Sequence, residues 1–104
     1  MAKTRSQRLL ASLDKVLFVV ADLELPKEPG VYFVATKTGK ILYIGQSVNM
    51  QRRWSSGHHR ALECFRNGAH YIHFQYTQEP YDLEKIYIEE YEPPLNRSFN
   101  PFEE

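Results

Sequence analysis

With 104 residues, 42% hydrophobic and 25% charged, the chain has the length and balance of one folded domain and leaves no room for a second core. Its 13 Lys/Arg and 13 Asp/Glu cancel, yet residues 1–66 carry 11 cations against 5 acids and residues 67–104 carry 2 against 8. A face that attracts a polyanion and an ordinary solvated surface both accommodate that split. One cysteine, Cys64, excludes an internal disulfide. The apolar run from Val16 to Ala21 is far too short for a bilayer, so with no secretory signal a cytoplasmic protein is expected.

Leu9, Leu10, Leu13, Val16, Leu17 and Val20 follow helical spacing and predict an amphipathic helix over residues 5–21. Pro26 and Pro29 form a stiff connector after it. Val31, Phe33 and Ala35 alternate with Tyr32 and Val34 as a strand, Thr38-Gly39 makes a turn, and a second strand runs from Lys40 to Gly45. Ser47 or Asn49 can cap a helix through Met50, Arg53 and Trp54, which Gly57 bends before Ala61, Leu62 and Phe65 continue the stripe to Asn67-Gly68. Ile72, Phe74 and Tyr76 alternate as a third strand, and a last helix from Tyr81 to Tyr91 ends at Pro93-Pro94. The order predicts an α+β fold, a three-stranded antiparallel-rich sheet flanked by helices. Residues 1–24 read as a helical extension, 25–97 as the main domain and 98–104 as an acidic tail.

On the last helix Leu83, Ile86, Tyr87, Ile88 and Tyr91 make one apolar arc, and both Glu84 and Glu90 fall inside it. A carboxylate on a buried face needs a cation, a metal or hydrogen bonds, unless it sits at the rim and reaches water. Arg53 and its neighbour Arg52 are equal candidates for a planar grip on phosphate oxygens. Tyr32 and Tyr43 read equally as core aromatics with surface hydroxyls, and His58 and His59 as surface residues in a helix break. His58, His59, Cys64 and His70 match no zinc-ligand spacing.

Taken together, Gly30-Val31-Tyr32, then ten residues, then Tyr43-Ile44-Gly45 resembles the hallmark of the GIY-YIG nuclease family. The family's arginine, ten residues beyond the second tyrosine, falls on Arg53. Its glutamate, twelve before the asparagine of a Pro-x-x-Asn ending, falls on Glu84 once Pro93-Pro94-Leu95-Asn96 supplies that ending. The lead-in Leu25-Pro26-Lys27-Glu28-Pro29-Gly30 is similar to the entry of this domain in the bacterial excision-repair nuclease. Valine stands for isoleucine in the first motif, Gln46 stands where many relatives have lysine, and Gly57 occupies the family's His/Tyr position, with His58 one later.

The resemblance implies an endonuclease that hydrolyses nucleic acid phosphodiesters, DNA above all, with one Mg²⁺ or Mn²⁺ held by Glu84. It implies a catalytic set of Tyr32, Tyr43, Arg53, His58, Glu84 and Asn96, with Gln46, Arg52 and Arg60 as substrate contacts. Tyr32 would help deprotonate the attacking water, aided by Tyr43 and His58. The metal or Arg53 would depress its pKa, and Asn96 would fix the local geometry. A nucleic-acid-binding or protein-interaction module without cleavage is the alternative. Weak binding by the monomer points to a homodimer, a structured substrate or a partner protein, with the N-terminal helix either docking or capping the domain's own sheet.

Overall fold

The computed structural model describes residues 2–21, 23–55 and 58–97. Helix α1 (Arg5–Ala11) opens on a capping box: the Thr4 hydroxyl accepts from the Gln7 backbone, and the Gln7 side chain accepts from the Thr4 backbone. It ends where the Ser12 backbone N–H reaches the Leu9 and Leu10 carbonyls. Strand β1 (Asp14–Leu17) follows at once, then β2 (Gly30–Thr36) and β3 (Ile41–Ser47), joined by a turn in which Gly39 takes φ +92. Helices α2 (Met50–Ser55) and α3 (Ala61–Arg66), strand β4 (Ala69–Tyr76), helix α4 (Pro80–Tyr91) and the short α5 (Pro94–Arg97) complete the order.

The sheet runs β1-β4-β2-β3 and every neighbouring pair is antiparallel. β2 lies inside it, with helices on both faces, so Gly30 to Ala35 are all buried. Tyr32 and Val34 join Met50, Trp54, Ala61, Cys64 and Ile72 in the core beneath α2 and α3. Val31, Phe33, Ala35 and Ile44 face the other way, toward Leu10 of α1 and Leu83, Tyr87, Ile88 and Tyr91 of α4. Alternation along one strand thus feeds two cores, as expected for a strand covered on both sides.

The predicted α+β class holds, with four strands rather than three. The expected helix over 5–21 stops at Ala11 because Ser12 caps it. The stretch Asp14–Leu17 beyond then pairs as an edge strand, Val16 opposite Ile72 and Leu17 opposite Tyr71. The apolar side of α1 is covered by the domain's own sheet through Leu10, so the helix is a cap on that sheet. In α3 the buried side runs through Ala61 and Cys64, whereas Leu62 and Phe65 are exposed. In α4 the inward face is Leu83, Glu84, Tyr87, Ile88 and Tyr91, and Ile86, expected in the arc, is exposed. The predicted bend at Gly57 and the acidic tail 98–104 lie outside the described residues.

Candidate active site

The two tyrosines stand on adjacent strands because β2 and β3 pair with Val34 opposite Tyr43 and Tyr32 opposite Gly45. Gly45 is required there: a Cβ at that position would overlap the Tyr32 ring. Tyr32 is 1% exposed, held edge-on by Trp54 with ring centroids 5.4 Å apart. Burial raises its phenol pKa well above the ordinary value, Tyr43 and Glu84 add to that, and Arg53 pulls the other way without prevailing. The expectation that Arg53 would depress this phenol is therefore met in sign of influence but not in outcome. Tyr43, half-buried, is raised by the same desolvation.

His58 joins this pair. Its ring stacks on Trp54 with centroids 4.3 Å apart and sits edge-on to both Tyr32 and Tyr43. Its Nδ1 accepts the Arg60 backbone N–H at 3.0 Å, and its Nε2 lies 2.8 Å from the Tyr32 hydroxyl. Burial first, then Arg53, His59 and Arg60, push the imidazole pKa down to about 3, so the ring is neutral at neutral pH. With Nδ1 already used as an acceptor, the single ring proton belongs on Nε2, and His58 donates to the Tyr32 oxygen.

The cations divide unequally. Both Arg52 and Arg53 are exposed, but Arg53 acts on both phenols and places Nη2 3.1 Å from His59 Nδ1, whereas the Arg52 backbone N–H is taken by the Asn49 cap. Arg60 is drawn in: its guanidinium lies 5.4 Å from the Tyr43 ring centroid, pairs with Glu63 at 2.7 Å and donates to the Leu95 carbonyl. Gln46 is not brought to the tyrosines. It pairs with Val31, whose side chain belongs to the opposite face of the sheet, under α4.

A cavity of about 400 Å³ opens at the β3 edge between Tyr43, His59, Arg60, Glu84, Ile88 and Asn96. Glu84 is half-buried in its wall, and desolvation raises its carboxyl pKa. It has no hydrogen-bond or ion-pair partner among the described residues. Glu90, the rival from periodicity, is exposed and pairs with Arg5 away from this cavity. Asn96 closes the wall by clamping the edge strand, its Oδ1 accepting from Ile44 N–H at 2.8 Å and its Nδ2 donating to Ile44 C=O at 2.9 Å. These two bonds satisfy backbone groups that an edge strand otherwise leaves open.

Trp54, expected as a helix-face residue, and His59, expected as a surface residue, both shape the site. Trp54 is the chain's one tryptophan and lies four residues before His58, a signal that was legible. His59, stacked on His58 at 4.5 Å, had no such signal.

The chain matches the GIY-YIG catalytic domain model over residues 28–98. It is 34% identical over 83 residues to the UvrABC system protein C of Neisseria meningitidis, an alignment covering 72% of this chain and only 14% of that protein. Among solved structures it resembles the GIY-YIG N-terminal endonuclease domain of UvrC from Thermotoga maritima, in two tyrosine-to-phenylalanine variants, each bound to its catalytic divalent cation. Both superpose with a TM-score of 0.56 over 89% of this chain and 96% of theirs, at 20% and 19% identity. With the family model covering most of its length, this chain belongs to the GIY-YIG catalytic-domain family.

Proposed function

We propose that this domain, an endonuclease by family, hydrolyses phosphodiester bonds of DNA with one divalent cation, Mg²⁺ or Mn²⁺, bound at Glu84. The observation that carries the reading is that Arg53 and the partnerless Glu84 carboxylate both act on the Tyr32 phenol, which His58 holds, while Glu84 and Tyr43 share one cavity wall. The donor set suits a hard cation that keeps most of its water. Glu84 is a single carboxylate, and no cluster of three His, Cys, Asp or Glu converges among the described residues. Such a cation would supply positive charge to the scissile phosphate and cancel the Glu84 charge that helps hold the Tyr32 phenol up.

The chain's own groups then have separable tasks. With the cation bound, Tyr32 would lose its phenolic proton to solvent and then, as phenolate, accept the proton of the water that attacks phosphorus. His58 steadies that phenolate through Nε2–H and does not relay the proton, since its other nitrogen is occupied. Arg53 offsets the negative charge that grows on the phosphoryl oxygens as the P–O bond to the leaving strand breaks. Tyr43 and Arg60 line the approach, and Asn96 holds β3 in register. Arg52 and Gln46 serve at most as outer contacts to the substrate, because neither reaches the cavity.

A second reading, a binding module without cleavage, draws on one observation: both phenols are neutral at physiological pH in the free chain. Few phosphate contacts also predict weak duplex binding by the monomer, about 10⁻⁴ to 10⁻⁶ M, so a homodimer, a branched substrate or a partner protein would supply the rest. The deciding experiment incubates the chain with duplex, nicked, branched and single-stranded DNA and with RNA, in Mg²⁺, Mn²⁺ or EDTA. Cleavage that needs the cation, falls at least about 100-fold in Glu84→Gln and persists in Glu90→Gln supports the nuclease. Binding without cleavage under every condition establishes the module instead. Loss in Glu90→Gln but not in Glu84→Gln overturns the site.

A further inference from the structure

We infer that His59 is a stacking platform for an unpaired nucleobase, so that the domain takes a strand whose bases lie outside a duplex. The role presupposes that nucleic acid occupies the site around Glu84, and it adds which strands fit there. Three rings stand in one stack. Trp54 lies at its foot, His58 rests on Trp54 with centroids 4.3 Å apart at 23°, and His59 rests on His58 at 4.5 Å and 23°. Trp54 and His58 are 0% and 5% exposed, whereas His59 at the outer end is exposed. His58 covers one face of the His59 ring, so the cavity around Glu84, which His59 lines, meets its other face and its edge.

The platform is held from below and from the side. The His58 ring beneath it is fixed at both nitrogens, by the Arg60 backbone N–H at 3.0 Å and the Tyr32 hydroxyl at 2.8 Å. On the His59 edge, Nδ1 lies 3.1 Å from Arg53 Nη2, and a guanidinium only donates, so Nδ1 is the acceptor. A ring fixed on face and edge gives up little freedom when a base settles on it. Its neighbours suit the rest of a nucleotide, with Arg53 at its edge and Arg60 in the same cavity wall, both able to meet strand phosphates. Inside a duplex both faces of a base are already stacked on neighbours, and freeing one costs least where the base is unpaired from the start. A single aromatic ring beside the site therefore favours unpaired nucleotides, and it does so with little regard to sequence because every base has a π-face.

The whole chain, in EDTA so that no bond is cut, is titrated with a labelled single-stranded deoxyoligonucleotide and with an abasic strand of the same length and charge. Fluorescence anisotropy gives the affinity for each, and histidine ring NMR follows His59. The base-bearing strand should bind about five- to tenfold more tightly, and it alone should move the His59 ring protons upfield, as a ring lying against a base does. His59→Ala should bring the two strands to equal affinity. His59→Phe, which keeps a stacking face but offers Arg53 no nitrogen, should keep the preference, and His59→Asn, which offers an acceptor but no face, should lose it. Equal affinity for both strands in the wild-type chain overturns the platform, as does a preference that survives in His59→Ala. A preference kept in His59→Asn and lost in His59→Phe also overturns it and makes His59 a positioning residue for Arg53. His59 is exposed, so its variants keep the fold. Binding is read without metal, so loss of the preference leaves the nuclease reading standing, and a chain that never cleaves can still show the preference.

Discussion

The Tyr32 hydroxyl accepts a hydrogen bond from His58, and the backbone N–H of Arg60 on the far side of the imidazole sets that direction. The ring is therefore a donor toward the phenol, and it stabilises Tyr32 more as the phenolate than as the phenol. Histidine ring NMR at pH 7 should find the Nε2-protonated tautomer for His58. Tyr32→Phe should lower cleavage at least about 100-fold. His58→Gln, which can still offer an N–H, should lose less than His58→Ala. An Nδ1-protonated ring would reverse the assignment.

Gly45 sets the distance between the strands' two functional rings. Gly45→Ala should displace the Tyr32 ring, because the added methyl meets its Cε1, Cζ and Oη. Overpacking of this kind costs about 1–3 kcal/mol, and the loss of cleavage should exceed what the drop in folded population explains. Denaturant titration and a cleavage assay on one sample separate the two. A fully active Gly45→Ala chain would mean that the Tyr32 position is not critical.

Arg52 and Arg53 differ only in direction. Both are exposed, but Arg53 acts on both phenols and contacts His59. Arg53→Lys removes the planar fork and should cut turnover by at least about tenfold, whereas Arg52→Lys should stay near wild type. Equal losses in both variants would indicate a diffuse basic patch.

Acid should destabilise the fold through its buried histidines. His58 and His73 both have folded pKa values below the ordinary 6.5, His58 down to about 3. Below pH 6.5 the unfolded chain therefore binds protons that the folded chain refuses, and stability falls as pH drops. Each histidine contributes a slope of at most about 1.4 kcal/mol per pH unit. Glu84 works in the opposite sense, since its raised pKa means the folded chain takes up that proton more readily. Two groups against one leaves a net fall in Tm from pH 6.5 toward 4, flattened in His58→Gln. A Tm constant over that interval would contradict the burial of both rings.

Periodicity left Glu84 and Glu90, and Arg52 and Arg53, as open pairs, and only the resemblance to the family pattern pointed to Glu84 and Arg53. The structure places Glu84 in the cavity wall and Glu90 on Arg5. The α+β class and the β2–β3 hairpin were legible in the residues themselves: alternation, turn residues and helix caps act over a few neighbours and are written locally. The fate of residues 14–17 was not. Their apolar spacing suits a helix, and only the open edge of β4 makes a strand of them. The side of Gln46 was likewise decided by pairing register, which turns it toward Val31 and away from the tyrosines. The roles of His58 and Asn96 are tertiary as well. One depends on a phenol 26 residues away, the other on an edge strand 52 residues away, and no local pattern encodes which group a folded chain will bring into reach.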